Sequence, residues 1–157
     1  MASHSMGLTL HEAARGMGVP FTEENEPEDR TVNANGLEFH YLEWGDPANP
    51  TLVMLHGVSQ QAHSWDFVSL ALSPAYHIIS LDQRGHGDTD WASDGVYSLD
   101  AMQADIDGVV EALGLDDFNL MGHSMGGRNS FIWASRHPKI LRSLTIVDTG
   151  PETQRRG

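Results

Sequence analysis

The sequence predicts an α/β fold, a doubly wound and mostly parallel sheet entered through an antiparallel N-terminal hairpin. Three observations predict it. Short apolar runs recur at residues 51–55, 77–81, 118–121 and 144–147, and runs of that length without alternation suit strands covered on both faces. Segments of helical spacing lie between them, and strand–helix–strand units in series give a right-handed parallel sheet. Finally, Asn35-Gly36 is a tight-turn dipeptide, and Leu37, Phe39 and Tyr41 alternate with polar neighbours after it, which joins residues 31–33 to 37–44 as a hairpin.

Residues 1–30 read as an N-terminal arm and residues 31–157 as the domain. In the arm, Thr9 and Glu12 have capping-box spacing, and Leu10, Ala13, Ala14 and Met17 share one helical face, so a short helix is expected to dock on the core. Gly16 and Gly18 would end it. Glu23, Glu24, Glu26, Glu28 and Asp29, interrupted by Pro27, read as a solvated acidic linker. The clearest helix runs from about residue 99 to 113, with Ser98 as N-cap, Met102, Ile106, Val109 and Leu113 on its apolar face and Gly114 as stop. Asp100, Asp105 and Asp107 are expected on its solvated side. A further helix carrying Phe131, Ile132 and Ala134 follows the strand at 118–121.

Composition narrows the function. With 157 residues, 39% of them hydrophobic, the chain can bury one sizeable core. Twenty-two acidic against nine basic residues give a net charge of −13, which opposes nucleic acid and anionic membranes as partners. The absence of cysteine excludes thiolate metal sites and a cysteine nucleophile and accords with a reducing, cytoplasmic setting. No signal peptide or membrane-spanning run is recognisable. Histidines and carboxylates lack metal-ligand spacing, so no metal and no organic cofactor is expected.

Ligand chemistry in such sheets gathers beyond the carboxyl ends of the strands, where three segments fall. Gly122-His123-Ser124-Met125-Gly126 follows the strand at 118–121 and opens a helix. This GxSxG pattern puts a nucleophilic serine on a strained strand-to-helix turn, with glycines where side chains would clash. Ser124 is thus the expected nucleophile, and the Met125 N–H, at the positive end of the helix dipole, is the expected oxyanion donor. His56-Gly57-Val58 ends the strand at 51–55, and the Val58 N–H is the expected second donor, with His56 fixing the loop. Asp82-Gln83-Arg84-Gly85-His86-Gly87-Asp88 lacks the glycine spacing of a nucleotide loop and reads as a structural turn in which Asp82 and Arg84 bond the backbone. Of the tryptophans, Trp65 and Trp91 follow these loops and are the expected pocket residues, while Trp44 and Trp133 suit the core.

Together these segments, in order and spacing over residues 31–150, resemble the signatures of the alpha/beta-hydrolase superfamily. The resemblance implies an eight-stranded fold with a nucleophile elbow after the fifth strand, often a helical cap after the sixth, and a histidine base after the last. On that pattern residues 144–147 are strand six, and the chain is expected to stop there, with cap and C-terminal strands absent. A serine hydroxyl needs a base oriented by a carboxylate. Only His137 follows Ser124 among the histidines, and it stands a helix away, so the base is expected outside this chain. His63 and His86 lie on loops at the active end. Asp148, ending the sixth strand, is the candidate acid, since some branches of the family place the triad carboxylate there.

The expected function is therefore a serine hydrolase that acts on an ester-like or activated carbonyl of a small molecule through an acyl-enzyme. The alternative is a non-catalytic half-domain that needs a complementary C-terminal segment or partner to become active; a complementary C-terminal segment or a homo-oligomer is the macromolecular partnership expected. A degenerate hydrolase that only binds ligand is a third possibility.

Overall fold

The computed structural model describes residues 7–150. Its chain order is α1 (Leu10–Gly16), β1 (Glu28–Ala34), β2 (Leu37–Trp44), β3 (Thr51–Leu55), a short 3₁₀ turn (Ala62–Trp65), α2 (Asp66–Leu72), β4 (His77–Leu81), α3 (Leu99–Ala112), β5 (Phe118–His123), α4 (Met125–Arg136) and β6 (Leu141–Val147). The strands form one six-stranded sheet in the order β1-β2-β4-β3-β5-β6. β1 and β2 are the antiparallel hairpin, with Asn35 and Gly36 both at positive φ as that turn requires. β2 meets β4 antiparallel, and β3, β4, β5 and β6 run parallel. The doubly wound, mostly parallel sheet expected from the sequence is the fold observed.

Side-chain alternation along the central strands builds two apolar layers. Val53 and Leu55 of β3 point to one face, with Phe39, Ile79, Leu81, Phe118 and Leu120, and meet Ile106, Val109 and Trp133 from α3 and α4. Leu52 and Met54 point to the other, with Leu42, Trp44 and Ile78, and meet Leu70 and Trp65. Every residue of β4 is buried, which explains why that strand reads as a continuous apolar run.

Several expectations shift. β1 starts at Glu28 rather than residue 31, because Glu28 and Asp29 pair across the ladder with Glu43 and Leu42; part of the acidic run is therefore strand. α1 forms with its capping box, and Ala14 packs in the core, but Met17 is 74% exposed. Met17 is the helix C-cap, and buried His11 takes the inward position, its Nε2 donating to the Asn25 carbonyl. β6 begins at Leu141, three residues earlier than expected.

Asp105 is not solvated. It lies 4% exposed on the inner side of α3, where it accepts from Arg84 Nε at 2.5 Å, Arg84 Nη2 at 2.7 Å and Asn35 Nδ2 at 2.9 Å. The bidentate pair holds the Arg84 guanidinium above its usual pKa, through the hydrogen bond to Asp105. A buried carboxylate survives here because a complementary fork of donors meets it.

Candidate active site

Register brings the three loops to one rim. Leu55 of β3 lies beside Leu81 of β4 and Gly122 of β5, so His56, Asp82 and His123 leave the sheet at the same level. Ser124 then takes φ 49° and ψ −111°, a backbone conformation costly for a side-chain-bearing residue. Its N–H is held by the Val147 carbonyl at 3.0 Å, and its carbonyl accepts from Arg128 N–H at 2.9 Å. A β-carbon on Gly122 would collide with the Gly126 backbone, and one on Gly126 with the Leu55 carbonyl. The two glycines are thus required by close backbone approach. The Ser124 side chain makes no capping bond to α4, and the residue is half-buried at the rim.

The loop after β3 and the start of α4 each carry one of the amides expected as oxyanion donors. Among the described residues, neither the Val58 N–H nor the Met125 N–H donates to a protein acceptor. Met125 opens α4, so its amide is one of the orphan donors of a helix start. Val58 follows β3 on an exposed loop whose next residue, Ser59, has φ 60°.

His56 is fully buried, with both ring nitrogens engaged. Nδ1 donates to the Gly57 carbonyl at 2.8 Å and Nε2 accepts from Gln83 N–H at 3.0 Å. Burial pushes its pKa down, and neighbouring His86 acts in the same direction. This ring ties the loop after β3 to the loop after β4, as a loop-fixing residue should. Gln83 completes the tie: its amide donates to the His56 carbonyl at 2.7 Å and its oxygen accepts from Asn129 Nδ2 of α4 at 2.7 Å.

Asp82 is a second buried hub. It accepts from Ala62 N–H at 2.6 Å, Asp88 N–H at 3.0 Å and His40 Nδ1 at 2.8 Å, and Gly87 has no room for a β-carbon against it. The turn at 82–88 is structural, and Arg84 also bonds the Val96 carbonyl. The group His40, Asp82 and Asp88 brings three possible ligand atoms within 4.8 Å. Asp82 already takes its hydrogen bonds from His40 and the two amides, so the group is explained without an ion.

Every histidine among the described residues has a partner other than Ser124. His63 donates to Asp66 at 2.9 Å, His86 to the Arg84 carbonyl at 3.0 Å and His77 to Glu43 at 2.8 Å. His137 stacks on Trp133 at 4.3 Å and lies 3.0 Å from Asp107. His123 turns away from the elbow toward Gln60 at 2.9 Å, with its Nε2 3.8 Å from Asp148 Oδ2. Asp148 stands at the end of β6 with φ 53° and its side chain 86% exposed.

Of the expected pocket residues, Trp65 packs in the core and Trp91 is 78% exposed. A polar depression of about 400 Å³ instead borders the loop after β3, lined by Ser59, Gln60, Gln61, Ser64, His86 and Gly87. A larger hollow of about 540 Å³, lined in part by Glu23, Glu26 and Asp46, lies where β3 begins, at the opposite end from Ser124. No helix among the described residues is long and apolar enough to cross a membrane. Gln60, Gln83 and Asn129 went unassigned from the sequence. Only Gln83, inside the turn after β4, stood where a signal could have pointed.

Residues 50–156 match a family model described as alpha/beta hydrolase fold. N-formylmaleamate deformylase of Pseudomonas putida is 38% identical over 117 residues, 74% of this chain and 43% of the relative. Fluoroacetate dehalogenase of a Burkholderia species is 35% identical over 128 residues, 79% of this chain and 41% of the relative. Among solved structures, a membrane phospholipase A described as a bacterial virulence factor has a TM-score of 0.79 at 28% identity, with 94% of this chain and 46% of that one covered. The thioesterase domain from the curacin biosynthetic pathway has a TM-score of 0.76 at 29% identity, covering 83% and 50%. The chain spans less than half the length of these curated relatives.

Proposed function

The chain belongs to the alpha/beta-hydrolase family, and from that premise we propose that it carries the nucleophile half of a serine hydrolase site. The observation that carries this reading is the backbone of Ser124: φ 49° between two glycines that close contacts make obligatory. Such strain is maintained where a side chain must be presented. In the proposed reaction the Ser124 hydroxyl attacks an ester-like or activated carbonyl of a small molecule. A base takes the hydroxyl proton, the Val58 and Met125 amides hold the oxyanion, and collapse expels the leaving group, which regains a proton from the base. Water then releases the acyl group.

On this reading the residues before β1 are an arm, Glu28–Arg30 of the expected arm 1–30 having joined the sheet, and the chain from β1 onward is the N-terminal part of the hydrolase domain. The base comes from polypeptide outside this chain, since the relatives extend well beyond the matched segment. Asp148, on the same rim, is the proposed acid. Phospholipase, thioesterase and deformylase relatives favour an acyl substrate; a serine at the elbow is suited to accepting one as an ester. Neither metal nor cofactor enters these steps, and a cytoplasmic setting is retained from the cysteine-free composition.

A second reading is favoured by β6. Arg142, Ser143, Leu144, Thr145 and Val147 are exposed along this edge strand, a surface suited to further strands of a complementary segment. Residues 1–157 alone would then be inactive. Labelling with a fluorophosphonate probe tests both. In the full-length protein Ser124 should react, and Ser124→Ala should abolish hydrolysis of p-nitrophenyl acetate. Hydrolysis unchanged in that variant rejects the mechanism, and strong labelling of residues 1–157 alone rejects the requirement for a second segment.

A further inference from the structure

We infer that Gln60 and His123 are positioning residues that set the direction of the Val58 N–H, an inference that rests on the oxyanion role proposed above for that amide. The case follows from the two peptide units on either side of Gly57. In the first, the His56 carbonyl accepts from Gly126 N–H at 3.1 Å and from Gln83 Nε2 at 2.7 Å, while the Gly57 N–H donates to Gln60 Oε1 at 2.8 Å. In the second, the Gly57 carbonyl accepts from His56 Nδ1 at 2.8 Å and from Gln60 N–H at 3.2 Å. A trans peptide points its N–H opposite to its carbonyl. Anchoring the Gly57 carbonyl therefore aims the Val58 N–H away from His56, with no other bond to hold it.

Gln60 enters both units: its main-chain N–H holds the Gly57 carbonyl, and its side-chain oxygen, by accepting the Gly57 N–H, closes the turn from Gly57 to Gln60 on which that main-chain bond depends. Gln60 sits on an otherwise open loop next to Ser59 at φ 60°. His123, on the strand that carries Ser124, supports its side chain: His123 Nδ1 lies 2.9 Å from the same Gln60 oxygen. The proton assignments follow from chemistry. A backbone N–H can only donate, so the atom facing it must be the amide oxygen of Gln60, and His123 Nδ1 must then donate to that oxygen. A β-carbon on Gly57 would stand 2.7 Å from Gln60 Oε1 and 2.8 Å from His123 Nδ1, so the clamp is closed around a glycine. Its far end is His123 Nε2, facing Asp148. A chain of contacts thus crosses the rim from β3 through β5 to the end of β6. It couples the aim of one oxyanion donor to the strand that presents the nucleophile.

Oxyanion contacts strengthen in the transition state, so loss of aim should lower kcat and spare KM. In the full-length protein, Gln60→Leu removes the acceptor, whereas Gln60→Glu keeps an oxygen for both donors. Gln60→Leu should exchange the Gly57 amide hydrogen at least about tenfold faster and lower kcat on p-nitrophenyl acetate by about tenfold or more, with KM nearly unchanged. Gln60→Glu should restore slow Gly57 exchange and recover most of the lost turnover. His123→Phe, which lacks the Nδ1 donor, should shift both readouts in the direction of Gln60→Leu. Unaltered Gly57 exchange, or unaltered kcat, in a folded Gln60→Leu protein overturns the clamp and leaves the Ser124 reading standing. Wild-type turnover in Ser124→Ala overturns that reading, and the role given to Val58 with it, whatever Gly57 does.

Discussion

The Gly126 N–H donates to the His56 carbonyl at 3.1 Å, and through that bond the loop after β3 and the elbow after β5 are held at one fixed separation. The approach leaves no space for a side chain on Gly126, whose β-carbon would strike the Leu55 carbonyl. Gly126→Ala should therefore destabilise the fold by about 1–3 kcal/mol, the usual cost of overpacking. Gly16→Ala provides a contrast. It ends α1 with open space around it, so the better helix propensity of alanine should be neutral to stabilising, by up to about 1 kcal/mol. Urea unfolding of the two variants separates a backbone contact from a glycine of no packing consequence.

Strain at Ser124 predicts opposite effects on stability and function. Glycine tolerates φ 49° far better than serine does, so Ser124→Gly should raise stability by about 1 kcal/mol, part of the strain range for such residues. Ser124→Ala keeps the β-carbon and should stay within about 0.5 kcal/mol of the parent. Both should be inert toward a fluorophosphonate. Thermal unfolding beside probe labelling checks the pair, and a Ser124→Gly protein less stable than Ser124→Ala counts against a strained elbow.

How much was legible in the sequence differs by kind of constraint. Gly122, Ser124 and Gly126 were readable because backbone meets backbone there, and only certain residue types survive that contact. Ile106 and Val109 were readable from helical period. For Asp105 the helical period reports which face the residue occupies, not whether a polar residue on that face has a partner. Its partner, Arg84, lies 21 residues away on another element. Trp65 and Trp91 follow similar loops, yet only tertiary packing decides that one is buried. Gln60 and His123 left no trace for the same reason: they are 63 residues apart and meet through the register of Leu55 with Gly122.

The Arg84–Asp105 pair gives a third prediction. Asp105→Ala leaves the buried guanidinium with the Val96 carbonyl and strips Asn35 of its acceptor, so a loss of about 3–5 kcal/mol is expected. The double change Arg84→Met with Asp105→Leu removes both charges and should cost clearly less than the sum of the single changes. A double-mutant cycle by urea unfolding measures the difference, and strict additivity would contradict a coupled buried pair.

Two histidines should give stability opposite dependences on pH. His40 is buried between carboxylates, with Nδ1 2.8 Å from Asp82 and Nε2 3.0 Å from Asp29, an arrangement in which the protonated ring can donate from both nitrogens. Burial lowers its pKa, but the bonds to Asp82 and Asp29 outweigh that and leave it above 6.5. Its stabilisation is fully present below 6.5 and is lost as pH rises through the folded value. His56 is the reverse, for burial holds it below 6.5; its stabilisation is present above 6.5 and is lost as pH falls toward the folded value. His40→Asn should therefore flatten the decline of stability on the alkaline side of 6.5, and His56→Asn the decline on the acid side. Urea midpoints measured across pH in each variant, with the ring protons followed by NMR, test both signs. A His40 that titrates below 6.5 would show that burial, not the paired carboxylates, controls that ring.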